Sequence, residues 1–157
     1  MTTKADFTEQ EWDAVLEGPP SAGMLVVTAS RGGTFRETFA IGKAYAEARK
    51  QHGASELLDE IVSAKPEVDH TRYPSIEELR EHAHQHIRDA IAVLERKATA
   101  GEVEDYRRFV LTLAQRVASA HREDGMDVSG PEQAAIDAIP SSLGGSDDVS
   151  SGAQAGP

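Results

Sequence analysis

Apolar residues recur at helical spacing along most of the chain. Tyr106, Phe109, Val110, Leu113, Val117 and Ala120 form one such stripe, and Ile76, Leu79, Ala83, Ile87, Ala90, Ile91 and Leu94 form another. Each pattern predicts a helix with one face turned to a core. Between Thr34 and Gln51 the pattern is two-sided. Phe35, Phe39, Gly42 and Ala46 make one stripe, and Ile41, Tyr45 and Ala48 make a second on the far side. A helix apolar on two sides is expected to pack on both, with Gly42 as a point of close approach. The run Gly23-Met24-Leu25-Val26-Val27 is apolar all round and predicts an interior segment. Its Leu25-Val26-Val27 core is the one β-like stretch, but the flanking Ala, Gly and Met residues favour a buried helix.

Start and stop signals divide these patterns into elements. A hydroxyl residue followed three positions later by Glu is a capping box, in which the hydroxyl accepts from a free N–H of the first turn and the Glu reaches back to the cap. It occurs at Thr8/Glu11, Thr34/Glu37, Ser75/Glu78, Thr99/Glu102 and Ser129/Glu132, each ahead of a helical apolar series. Gly18 and Gly53 stand where a left-handed C-terminal residue is wanted. Pro66, Pro74 and Pro140 stand where a helix should already have ended. The expected helices cover about residues 8–17, 21–30, 34–51, 55–64, 75–98, 102–123 and 130–139. The fold class is therefore all-α: a single-domain bundle of about seven helices over residues 1–144. From 145 to 157 the chain is mostly Gly, Ser and Asp, with Val149 its one sizeable apolar residue, which predicts a disordered tail.

Composition narrows the partners. Sixteen Lys and Arg against 27 Asp and Glu leave a net charge of −11. Phosphate backbones and anionic membrane surfaces would repel such a chain, so no nucleic-acid partner is expected. There is no cysteine, which excludes thiol catalysis, disulfides and Cys-ligated zinc. No apolar run is long enough for a membrane span, and no integral membrane association is expected. The opening residues lack the apolar stretch of a signal peptide, which points to a cytoplasmic protein.

Two helix pairs look alike. Leu25 to Ala29 leads through Arg31-Gly32-Gly33 to the box Thr34/Glu37, and Arg116 to Ala120 leads through Asp124-Gly125 to the box Ser129/Glu132. This suggests two pseudo-repeated helical halves. Residues Phe109 to Ile139, with Asp124-Gly125-x-Asp127-Val128-Ser129-x-x-Glu132-x-x-x-Ile136, resemble the tellurite-resistance TerB-like family. That resemblance implies an all-helical fold of two related halves, a setting in tellurite or metal-ion stress, and a divalent cation near the Asp-Gly turn. The first half carries Arg31-Gly32-Gly33 in place of the acidic turn.

Three places carry candidate chemistry. Asp124, Asp127 and Glu132 group oxygen ligands suited to a hard cation, although Asp-Gly is also ordinary turn chemistry and Glu132 belongs to a capping box. His82 and His86 lie one turn apart on a helix and could share a transition metal. The competing reading is a solvated helix flank. Arg31, Gly32, Gly33 and Arg36 offer free N–H groups and guanidinium at a helix start, the chemistry of an anion site; an ordinary interhelical turn reads the same way. No nucleophile elbow or comparable catalytic motif is present. The expected function is a non-enzymatic accessory or interaction module with a protein partner. The alternative is a small metal-dependent enzyme or an anion or ligand sensor, and a concave site with convergent polar groups would favour that alternative. No cofactor is expected beyond a divalent cation.

Overall fold

The computed structural model of the chain describes residues 2–29, 35–50, 55–66, 73–123 and 130–144, with the side chains of 35–39, 120–123 and 130–132 left aside. Among these residues every regular element is helical. A 3-10 turn at Lys4–Asp6 precedes α1 (Glu9–Ala29), α2 (Phe35–Lys50), α3 (Glu56–Ser63), α4 (Ile76–Lys97), α5 (Ala100–Glu123) and α6 (Gly130–Leu143).

The capping chemistry sets the starts. Thr8 Oγ1 accepts from the Glu11 N–H at 3.1 Å, and Glu11 Oε1 accepts from the Thr8 N–H at 2.9 Å. Thr99 and Glu102 exchange the same pair at 3.2 and 2.9 Å. Ser55 and Ser75 each accept from the third N–H of their helix. The boxes at Thr34/Glu37 and Ser129/Glu132, Gly53 and the tail 145–157 lie outside the described residues, as do both turns of the suggested repeat.

The described helices number six, not seven, because the first two expected helices are one. α1 runs unbroken through Gly18-Pro19-Pro20. Proline at 19 has no N–H to give the Val15 carbonyl, which ordinarily ends a helix. Here the Tyr106 hydroxyl, arriving from α5, donates to Val15 O at 2.7 Å and replaces the missing donor. Gly18 is not a left-handed terminator either. Among the described residues the positive φ belongs to Gly144, at 76°. That residue ends α6, which passes through Pro140 and continues to the buried Leu143.

The bundle is organised around the α1–α4 pair, its most extensive helix contact, with α5 closing the core against α1 and α2. The two helices run antiparallel. Glu11 near the start of α1 meets Lys97 at the end of α4, and the Arg80 guanidinium near the start of α4 donates to Thr28 O at the end of α1. The apolar run Gly23 to Val27 is buried as expected. Gly23 is a point of close approach. A Cβ there would meet Ile41 at 2.7 Å and Leu113 Cδ2 at 3.0 Å, so α1, α2 and α5 converge on a position only glycine fills.

Two faces differ from the expected pattern. Ile76, first in the α4 stripe, is 51% exposed, because it occupies the first turn and projects past the core. On α2, Ala40, Ile41, Ala44 and Tyr45 are buried, while Gly42 and Ala46 are exposed. The helix therefore buries its Ile41/Tyr45 side, and apart from the chain neighbours and backbone of its own helix no atom among the described residues lies within 4 Å of where a Gly42 Cβ would stand. Gly42→Ala is accordingly expected to stabilise the protein by up to about 1 kcal/mol, the usual gain in an open helix interior, measured by urea denaturation.

Charge ties the start of α1 to the end of α4. Glu11 pairs with Lys97 at 2.7 Å and Arg96 at 3.5 Å. The Lys97 hydrogen bond, with help from Thr8, holds the Glu11 carboxyl down to about 2 from an ordinary 4.5. A carboxyl depressed in the folded state contributes stability above its unfolded value and loses it as pH falls through the folded one. Native stability should therefore decline between pH 4.5 and about 2, and Glu11→Gln should flatten the decline in that window in denaturation curves taken at successive pH values.

Candidate ligand-binding cleft

A cleft of about 480 Å³ opens between α1 and α4, beside the ends of the α3–α4 connection. Its α1 wall is Asp13, Leu16, Glu17, Pro20, Ser21 and Met24, residues brought to one side by helical spacing. The α4 wall is Leu79, Ala83 and His86, and Lys65 and Tyr73 reach it from the connection. Ala83, the smallest apolar member of the α4 face here, leaves room that a larger residue would occupy. The floor is thus apolar, with Asp13, Glu17, Ser21, Lys65, Tyr73 and His86 as its polar complement.

His86 is fixed from both sides. Its Nδ1 lies 3.0 Å from Glu17 Oε2 and its Nε2 lies 3.0 Å from the Tyr73 hydroxyl. A carboxylate oxygen can only accept, so Nδ1 carries the proton and donates to Glu17. In the neutral ring Nε2 is then the acceptor for the Tyr73 O–H. The chain Glu17–His86–Tyr73 joins α1, α4 and the connection at the cleft wall. Tyr73 is held by a second contact, since its ring stacks on His82 with centroids 4.4 Å apart and planes 6° apart. Tyr73 is therefore positioned by both histidines of the pair, one through its face and one through its hydroxyl.

That geometry places the sequence candidates. His82 and His86 do share a flank of α4, with ring centroids 6.3 Å apart. His82 is exposed and stacked, and both nitrogens of His86 have protein partners. Among the described residues no three of His, Cys, Asp or Glu are grouped to hold a metal ion. His84 points away to α6, where its Nδ1 lies 2.6 Å from Ser142 Oγ. Burial, followed by the charge of Arg88, lowers its pKa. Arg31, Gly32, Gly33, Asp124 and Asp127 lie outside the described residues. Arg36 falls in α2 and Glu132 in α6, with their side chains likewise outside.

Glu17, Tyr73, Asp13 and Lys65 were not legible as site residues. Glu17 precedes Gly18-Pro19-Pro20 and reads as the end of a helix, whereas the unbroken α1 sets it mid-helix opposite His86. Tyr73 reads as loop ahead of the Ser75 cap. A lone aromatic two residues before a capped helix that carries two histidines was the available signal.

The fold and site define a helical bundle with a polar-walled cleft along its central antiparallel pair. No family model matches the chain, and no curated protein or solved structure matches it. Among the described residues no helix is long and apolar enough to cross a membrane.

Proposed function

We propose that the protein is a non-enzymatic binding module whose α1–α4 cleft seats a small ligand. The observation that carries this reading is the cleft itself. Ligand sites are concave, mostly apolar, of about 300–1,000 Å³, with a few convergent polar groups. The cleft has that size, an apolar floor and a hydrogen-bonded Glu17–His86–Tyr73 wall. An accessory module that bound proteins alone would present a flat apolar patch instead, and Ile76 is the one large exposed hydrophobic residue among those described. A metal-dependent enzyme on the His82/His86 face draws less support, because the imidazole of His86 is already engaged at both nitrogens. The setting in tellurite or metal-ion stress rests on the resemblance of residues 109–139 alone.

The test uses the neutral fluorophore N-phenyl-naphthylamine, whose emission rises on entering an apolar site. The full chain should bind it saturably at one site. Ser21→Trp places an indole in the cleft from a partly exposed position, so folding should survive, as circular dichroism would verify. Affinity should fall by about tenfold or more, the equivalent of about 1.4 kcal/mol. A parent that does not bind, or a folded Ser21→Trp variant that binds as tightly as the parent, contradicts the reading.

A further inference from the structure

Independently of the cleft, we infer that the last turn of α6 is held on the bundle by a pH-sensitive latch, in which neutral His84 of α4 keeps Ser142 in place and protonated His84 lets the turn open. The contact joins two helices. His84 Nδ1 lies 2.6 Å from Ser142 Oγ, 58 residues away in sequence. Ser142 is 5% exposed, so its hydroxyl depends on protein partners rather than on water. The next carbonyl, that of Leu143, accepts from Arg107 Nε of α5 at 3.0 Å. Ile139 and Leu143 are buried beside these contacts. The turn thus docks through an apolar face and two polar contacts, and His84 is the member whose charge can change near neutral pH.

The surroundings of His84 oppose its charge. On α4, Arg80 and Arg88 stand one turn to either side of it, and Glu81, three positions before it, is exposed. Arg80 donates to Thr28 O and Arg88 to Gln85 Oε1. The face that α6 turns to the bundle, Ile139, Ser142 and Leu143, carries no charge, and Asp137 is exposed and bonded to Gln133. α1 has no titratable group between Gly18 and Ala29. α5 brings Arg107, whose guanidinium is met by Glu104 and Glu95. Among the described residues no carboxylate lies within ion-pair distance of His84. A His84 cation would stand half-buried beside Arg88, with a hydroxyl for a partner and no counter-ion. Burial first, and then the Arg88 charge, hold the imidazole below its ordinary value of 6.5. A group depressed in the folded state contributes stability that is complete above its unfolded value and is lost as pH falls below it. When the turn opens the ring returns to water and takes its proton freely, so acid favours the open turn. The Glu11 pair acts at lower pH, between 4.5 and about 2, so the two effects separate.

Hydrogen exchange of the full chain tests the latch, read at single amides from about pH 7.5 to about pH 5 and corrected for the intrinsic chemical rate. Protection of the Ile139, Ser142 and Leu143 amides should fall by about threefold or more relative to Val110 and Leu113 of α5, within the roughly tenfold that a one-unit difference in proton affinity allows. His84→Gln keeps a polar partner for Ser142 and cannot titrate, so its α6 protection should stay level relative to α5 over the same range. Circular dichroism verifies that this variant folds. The titration of the His84 ring itself, followed by NMR in the parent, needs no variant and should have its midpoint below that of a histidine in an unstructured peptide. A constant ratio of α6 to α5 protection in the parent, a fall that persists in folded His84→Gln, or a His84 midpoint at or above that of the peptide overturns the inference. Should His84→Gln not fold, the parent's ring titration and protection ratio decide between the same outcomes. Each of them leaves the cleft reading as it stands, because His84 and Ser142 do not line the cleft.

Discussion

Gly18→Ala is expected to destabilise the protein by about 2–4 kcal/mol, from overpacking and a lost buried hydrogen bond less the gain in helix propensity. A Cβ at position 18 would stand 2.1 Å from the Tyr106 hydroxyl, 3.2 Å from Tyr106 Cζ and 3.2 Å from Ala90 Cβ. The added methyl group has no direction in which to move. Tyr106 is 1% exposed and its ring is enclosed, so the hydroxyl can retreat only by shifting the ring. That shift breaks the 2.7 Å bond to Val15 O, whose normal helical donor is absent at Pro19. One methyl group therefore overfills the α1–α4–α5 junction and strips a buried carbonyl of its partner. Tyr106→Phe separates the two effects, since it removes the bond without overfilling. It should cost about 1–3 kcal/mol, the penalty of an unpaired buried acceptor. Gly18→Ala placed on Tyr106→Phe should then cost less than it does in the parent, because the hydroxyl it strikes is gone. Chemical denaturation of the four proteins measures all of these differences.

Leu113→Ala should cost about 2–5 kcal/mol, the range for emptying a fully enclosed leucine site. Leu113 is 0% exposed on α5 and packs where α1 and α2 meet it, with Cδ2 3.0 Å from the position of a Gly23 Cβ. Removing its branched end leaves a void lined from three helices that cannot all close in. Gly23→Ala alone presses the opposite way and overfills the same junction. Combined, the two changes oppose each other, so the double variant should lose less than the sum of the single losses. Strict additivity would place Gly23 and Leu113 in separate parts of the core.

The helices were legible to the extent that local chemistry decides them. Thr8, Ser75 and Thr99 mark starts because a side-chain cap acts over three residues, and the structure forms those bonds. The stripe on α5 from Tyr106 to Val117 is buried because its period depends on the residues themselves. What was not legible was set by tertiary contact. Gly18 reads as a helix end because its signal is local, whereas the group that carries the helix on past Pro19, the Tyr106 hydroxyl, lies 91 residues from Val15. Pro140 misleads for the same reason in α6, where the burial of Leu143 favours continuing the helix past it. Gly42 reads as a packing point from its place in an apolar stripe, but which side of α2 is covered depends on where α5 lies. The cleft was the least legible feature. His86 was visible as one of a pair, and its partners Glu17 and Tyr73 sit at positions that read as a helix end and a loop. Their convergence exists only once α1 is one helix.

The account stands on the cleft being where a ligand binds, and chemical-shift mapping tests that most directly. Amide spectra of the isotope-labelled protein would be recorded as N-phenyl-naphthylamine is added. The perturbations should gather on the cleft-facing residues of α1 from Asp13 to Met24 and of α4 from Leu79 to His86, with Lys65 and Tyr73 beside them. Perturbations centred on the outward faces of α2 or α6, or spread evenly over the bundle, would contradict it.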